Sequence, residues 1–230
     1  MQVKIVRWGD MEKAIELAQL LLESHQDASW ELLEAEITAS KDSLYIYENI
    51  ITAAMRHIGH LWETNKITVA DEHLATSTCD YLLARYIWQK GKDQPIPSIG
   101  KKAMFLCVEN EQHYLGLKMA SQLFIEYGWE TKYHGPNLPL EYIKKAAEEW
   151  KPDAICLSFS ILYHAEHLRP YIKELEELPN HPAVIVGGRL LSQYEFDRYG
   201  SENTLFLKDL EDVNNWLDRH RHGVKSNAGS

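Results

Sequence analysis

The sequence predicts an α/β chain in two parts, an N-terminal four-helix bundle followed by a doubly wound parallel sheet of five strands. Three observations predict it. Apolar residues recur at helical spacing through the first part, to about residue 90. A polar stretch from Lys90 to Gly100, holding Gly91, Pro95, Pro97 and Gly100, then interrupts any regular element. Beyond it, strand-like and helix-like segments alternate, the pattern of a parallel sheet covered by helices on both faces. The expected division is a helical bundle over 1–90, a linker over 91–100, a Rossmann-like domain over 101–222 and a disordered tail over 223–230.

In the first part, Ala14, Leu17, Ala18 and Leu21 give one apolar stripe to a helix from Met11 to about Glu23, and a shorter helix follows around Trp30 to Thr38. Asp42 or Ser43 caps a third, long helix in which Ile51, Met55, Ile58 and Trp62 fall along one face, ending near Asn65. Thr68-Val69-Ala70-Asp71 carries the side chains of a capping box, so a fourth helix starts there and runs to about Trp88. Short connections between amphipathic helices predict a bundle. His57, His60 and Glu63 invite a metal-site reading, but no second Glu-x-x-His from another helix completes a di-iron constellation.

In the second part the strands fall at Lys101–Val108, Glu130–His134, Ala154–Phe159, Ala183–Val186 and Thr204–Leu207. The helices fall at Leu117–Tyr127, Leu140–Trp150, Ala165–Leu178, Leu190–Tyr199 and Leu210–Arg219. Five strands and five helices in this alternation fit a flavodoxin-like sheet.

Composition narrows the function. In 230 residues with 45% hydrophobic content there is enough apolar material for a core in each part. The formal net charge of −10 argues against a nucleic-acid-binding surface covering the molecule. Neither a signal-peptide core nor an apolar run of membrane-spanning length is present, so the expected setting is cytoplasmic, with no membrane partner. Cys79, Cys107 and Cys156 are isolated and read as reduced, buried thiols.

Open α/β sheets hold ligands at the carboxyl ends of their strands. The residues at that edge are Glu111, His113 and Gly116 after the first strand, Gly135-Pro136-Asn137 after the second, Ser158 and Ser160 after the third, and Gly187-Gly188 after the fourth. No Gly-x-Gly-x-x-Gly follows the first strand and no Gly-x-x-x-x-Gly-Lys-Ser/Thr exists, so the usual backbone cradles for a dinucleotide or a nucleoside triphosphate are absent.

Glu111-x-His113-x-x-Gly116, then Ser160-x-Leu162 after 43 residues, then Gly187-Gly188 after 24 more, resembles the fingerprint of the cobalamin-binding domain family. The helical part agrees with that family's cap domain. The resemblance implies that His113 is the lower axial ligand of cobalt, with Glu111 on its other ring nitrogen. It also implies that Ser160, with Ser158 and Leu162 beside it, contacts the buried nucleotide tail. Gly187 and Gly188 let the backbone approach that tail.

Trp62, followed after nine residues by Glu72-His73, is similar to the signature of adenosylcobalamin photoreceptors related to the MerR-type regulators. That resemblance implies that Trp62, Glu72 and His73 cover the upper face of adenosylcobalamin, and that light removes the adenosyl group and shifts the bundle. The chain departs from those regulators in two ways: only about ten residues precede the first helix, too few for a DNA-recognition helix, and Glu63 stands where they can carry a histidine. The expected function is therefore a stand-alone light sensor, not an enzyme, that acts as a homo-oligomer or through a separate regulatory protein. The alternative is a corrinoid methyl-carrier subunit of a methyltransferase system, holding methylcobalamin or hydroxocobalamin.

Overall fold

The computed structural model describes residues 8–39, 41–93, 96–160 and 165–221, and the chain divides into two compact units, Met1–Pro95 and Ile96–Ser230. Among the described residues of the first unit, four helical rods occur: α1 (Trp8–Leu22), α2 (Gln26–Thr38), α3 over 43–63 and α4 (Val69–Asp93). Helix α1 lies against the other three, and α2 and α3 each also touch α4. Leu17, Leu21, Leu33, Ile46, Ile50, Ile58 and Leu83 are fully buried between them. The expected N-caps form: Asp42 accepts the Tyr45 N–H at 2.7 Å, and Thr68 and Asp71 exchange the reciprocal bonds of a capping box.

Two expectations for these helices need correction. Helix α3 is interrupted by a π-helical segment, Ile46–Thr52, and its buried stripe runs through Ile51, Ala54 and Ile58 and on to the half-buried Leu61. Trp62 lies one turn beyond Ile58 on the same side of the helix but is 46% exposed, so the burial expected of that stripe ends before it. Helix α4 also continues past Trp88 to Asp93, taking in Gly91. A lone glycine in an exposed last turn costs the helix only about 1 kcal/mol.

The second unit is a five-stranded parallel sheet with strand order β2-β1-β3-β4-β5, the flavodoxin-like order. Its strands are β1 (Lys102–Cys107), β2 (Glu130–Gly135), β3 (Ala154–Ser158), β4 (Ala183–Gly187) and β5 (Leu205–Leu207). The helices are α5 (Leu115–Glu126), α6 (Leu140–Trp150), α7 (Ala165–Glu176) and α8 (Leu210–Arg221). Alternate residues of β1 serve the two faces, as the pleat requires. Met104 and Leu106 join the core under α6 and α7, while Phe105 meets Phe124 of α5 edge to face, and Phe124 stacks on Trp216 of α8.

The helix expected over Leu190–Tyr199 is replaced by two short 3₁₀ turns, Arg189–Ser192 and Asp197–Tyr199. The buried residues here are Leu190, Leu191 and Phe196, separated by four exposed ones, and no helical period satisfies that spacing. Phe196 anchors the segment by meeting Phe159 edge to face at 4.9 Å. Among the described residues, no helix is long and apolar enough to cross a membrane.

Candidate functional site

The sheet order reverses direction between β1 and β3, and the segments leaving those two strands carry Glu111, His113, Ser158 and Ser160. This is the switch point at which open α/β sheets hold their ligands. Gly187 and Gly188, at the end of the adjacent β4, lie on the same edge.

Glu111 organises this edge. It is fully buried, and its Oε1 accepts hydrogen bonds from the backbone N–H groups of Gln112 and His113, each at 2.9 Å, and contacts His113 Nδ1 at 2.6 Å. Its Oε2 accepts the Ser160 N–H at 2.5 Å, across from the other loop. Burial pushes the carboxyl upward, but the ring and N–H of His113 and the N–H of Ser160 outweigh it and hold Glu111 below the usual glutamate range. An ionised carboxylate only accepts, so Nδ1 carries the proton and the lone pair of the neutral ring lies on Nε2. The His113 side chain is 51% exposed. A half-exposed imidazole with its tautomer set by a buried carboxylate is the donor chemistry of a metal-ligating histidine.

Beneath His113, its carbonyl faces Cys107 Sγ at 3.8 Å and accepts from Ser158 Oγ at 3.5 Å. Burial, with Glu111 adding negative charge, pushes the Cys107 thiol up to about 12, so it stays protonated. Ser158 and Ser160 are both buried. Leu162 lies outside the described residues.

The glycines differ in what they require. Gly188 sits at φ +148°, and a Cβ there would stand 2.0 Å from the Phe159 carbonyl oxygen, so the fold itself demands glycine. At Gly187 the nearest neighbour to a Cβ is the Leu207 carbonyl oxygen at 3.8 Å, and at Gly116 nothing lies within 4 Å. The protein's own packing does not explain these two, but a ligand approaching the backbone would. Gly116, on the first turn of α5, leaves open space directly after the His113 loop.

Further residues hold the edge together. Asn137, at φ +54°, accepts the Asn110 N–H on its side chain at 2.8 Å and donates its own N–H to the Glu111 carbonyl at 3.0 Å. Tyr171 of α7 accepts the Glu109 N–H at 3.1 Å and donates to the Leu138 carbonyl at 2.6 Å, joining the loops after β1 and β2. Asparagine in turns tolerates the left-handed region, and that was the available signal for Asn110 and Asn137. Tyr171 offered no signal beyond an apolar helical phase.

In the helical unit, Glu72 is partly buried and accepts from Thr76 Oγ1 at 2.9 Å, while the exposed His73 ring lies 3.7 Å from the Glu72 carboxylate. Trp62 presents about half of its surface. No group of three His, Cys, Asp or Glu suited to a metal ion occurs among the described residues, in the bundle or elsewhere.

Comparison with known proteins supplies the ligand. Residues 101–202 match the B12 binding domain family, and residues 14–86 match a second family with the same description. Over 154 residues the chain is 24% identical to the HTH-type transcriptional repressor CarH of Myxococcus xanthus, covering 66% of this chain and 50% of that protein. The chain thus spans about half the length of the curated relative it matches. Among solved structures, the Methanosarcina barkeri monomethylamine corrinoid protein shares the fold with a TM-score of 0.67 at 17% identity, over 91% of this chain and 99% of that one. With a B12-binding match in each of its two units, the chain belongs to the B12-binding, or cobalamin-binding, family.

Proposed function

We propose that the chain is an adenosylcobalamin-dependent light sensor in which His113 Nε2 is the lower axial ligand of cobalt. The observation that carries the ligation is the buried, ionised Glu111, which fixes the proton of His113 on Nδ1. Bound adenosylcobalamin supplies a cobalt–carbon bond that visible light breaks. The chain's own residues hold and orient the cofactor: Gly116, Ser158, Ser160, Leu162, Gly187 and Gly188 take the nucleotide tail, and Trp62, Glu72 and His73 take the adenosyl side. Glu72 offers its carboxylate to the ribose hydroxyls, and the exposed Trp62 ring offers a flat apolar face to the adenine.

Similarity to a transcriptional repressor over 66% of the chain favours a regulatory output, delivered by a change of conformation or assembly in a cytoplasmic setting. The partner in that output is a second copy or a separate regulatory protein, not nucleic acid.

A second reading, a corrinoid carrier of methyl groups, is favoured by the fold likeness to the monomethylamine corrinoid protein. Reconstitution in the dark with adenosylcobalamin, then spectra and elution volume before and after green light, separates the two. A sensor prefers the adenosyl form and changes both readouts on illumination. Equal binding of methylcobalamin and hydroxocobalamin, with neither readout responding to light, would overturn the sensor reading and leave the carrier.

A further inference from the structure

Beyond His73, which the proposed cofactor site takes, the outward face of α4 carries a feature that cobalamin binding does not use. From Val69 to Gln89 the exposed residues of this helix are Val69, Ala70, His73, Leu74, Ser77, Tyr81, Ala84, Trp88 and Gln89, with no Asp, Glu, Lys or Arg among them. Surface helices of soluble domains ordinarily turn charged residues outward. Leu74, Tyr81 and Trp88, exposed by 44%, 48% and 62%, recur every seven residues. Between and after them, Ser77, Ala84 and Gly91 form a second exposed row of small side chains at the same interval. Two such rows side by side form the seam of a two-helix contact.

We infer that this seam is a docking surface for a second copy of the chain, with the two α4 helices antiparallel about a two-fold axis between residues 82 and 83. In that register each large residue meets a small one of the second copy: Leu74 beside Gly91, Ser77 beside Trp88, Tyr81 beside Ala84. A parallel pairing sets large against large and small against small, and fills the seam less well.

Charge selects the same arrangement. The first turn of α4 carries Asp71 and Glu72, and the last carries Lys90 and Lys92 with Asp93, so antiparallel copies bring ends of opposite net charge and opposite helix dipoles level with each other. Net charge compounds this. At −10, two copies repel over most of their surfaces, and an uncharged stripe is where they can approach.

The size of the seam sets its strength. Residues 70–91 span about 33 Å of helix, which at one helix width covers roughly 330 Å² per copy, against about 800 Å² in a standard stable interface. The contact is therefore weak and reversible, formed at high concentration or when a second contact brings copies together. It is independent of the cobalamin reading, and its test needs no cofactor.

Sedimentation of the cofactor-free chain over about a hundredfold range of concentration reads it directly. The expected result is a monomer–dimer equilibrium, weakened at least about tenfold by Ala84→Arg, with the helical circular dichroism unchanged. A monomer at every concentration, or a dimer indifferent to Ala84→Arg, overturns the inference. Cross-linking supplies the geometry: Tyr81→Cys mixed with Ala84→Cys yields mixed disulfide dimers, whereas Tyr81→Cys coupling chiefly with itself overturns the antiparallel register. The native Cys79, Cys107 and Cys156 are buried and do not compete.

Discussion

Glu111 and Ser160 join the two loops of the switch point: the carboxylate that orients His113 through Oε1 also accepts the Ser160 N–H through Oε2. One buried side chain therefore aligns the segment after β1 with the segment after β3. Glu111→Gln removes the charge and sets an amide among groups that all donate to it. The apo chain should lose about 2–4 kcal/mol, read by denaturant unfolding. Retained stability with unaltered cobalamin affinity would show that the carboxylate has no part in either.

The same residue sets an acid limit. Because the folded-state pKa of Glu111 lies below its unfolded value, its stabilising contribution is complete above the ordinary glutamate pKa and is lost as pH falls through the folded value. Unfolding free energy should therefore decline on the acid side of about pH 4.5. In Glu111→Gln that part of the decline should vanish. Parallel curves for the two proteins would assign the acid sensitivity to other carboxylates.

The glycines separate fold from ligand. Gly188→Ala forces a Cβ onto the Phe159 carbonyl at a φ that alanine rarely adopts, and should destabilise the apo chain by about 2 kcal/mol or more. Gly116→Ala meets nothing within 4 Å and lies in a helix, so its apo stability should hold or rise by up to about 1 kcal/mol. Its affinity for cobalamin should nonetheless fall, since a methyl group forced into a filled contact costs about 1–3 kcal/mol, or roughly 5- to 150-fold. Calorimetry on the two variants reads both quantities.

Tyr171 is a positioning residue by geometry alone. Tyr171→Phe leaves the Glu109 N–H and the Leu138 carbonyl without their bridge, and water reaches the exposed Glu109 more readily than the partly buried Leu138. A stability loss of about 1 kcal/mol is expected. A weaker cobalamin complex should accompany it, because the His113 loop loses a tie to β2. An unchanged titration curve would confine the tyrosine to packing.

What the sequence made legible follows from what local chemistry specifies. Thr68 and Asp71 make a capping box from four consecutive residues, and Phe105 between Met104 and Leu106 declares a strand buried on both faces, so both elements could be read without tertiary knowledge. The turns after Gly188 could not: the segment lies where strand–helix alternation calls for a helix, and the contact of Phe196 with Phe159 decides otherwise. Trp62 was misplaced for a related reason. Ile51, Met55, Ile58 and Trp62 satisfy helical spacing as well as Ile51, Ala54, Ile58 and Leu61 do, and the choice between stripes is made by neighbours distant in the chain. At the site, Glu111 and His113 were visible as a short pattern, whereas Tyr171 acts through its hydroxyl on Glu109, 62 residues away. The different demands on Gly187 and Gly188 appear only once Phe159 and Leu207 are in place.

Trp62 offers the sharpest discrimination between sensor and carrier. Its ring is half exposed, so Trp62→Ala should change apo stability by at most about 1 kcal/mol. If the ring receives the adenine, the variant should lose its preference for adenosylcobalamin over methylcobalamin while its affinity for the methyl form holds. His113→Ala serves as the control, since it should abolish the histidine-ligated spectrum with both forms. A carrier whose upper face accommodates only a methyl group predicts that Trp62→Ala leaves the ratio of the two affinities unchanged. Paired titrations in the dark, read by absorbance, measure that ratio directly, and the light response of Trp62→Ala should disappear along with the preference.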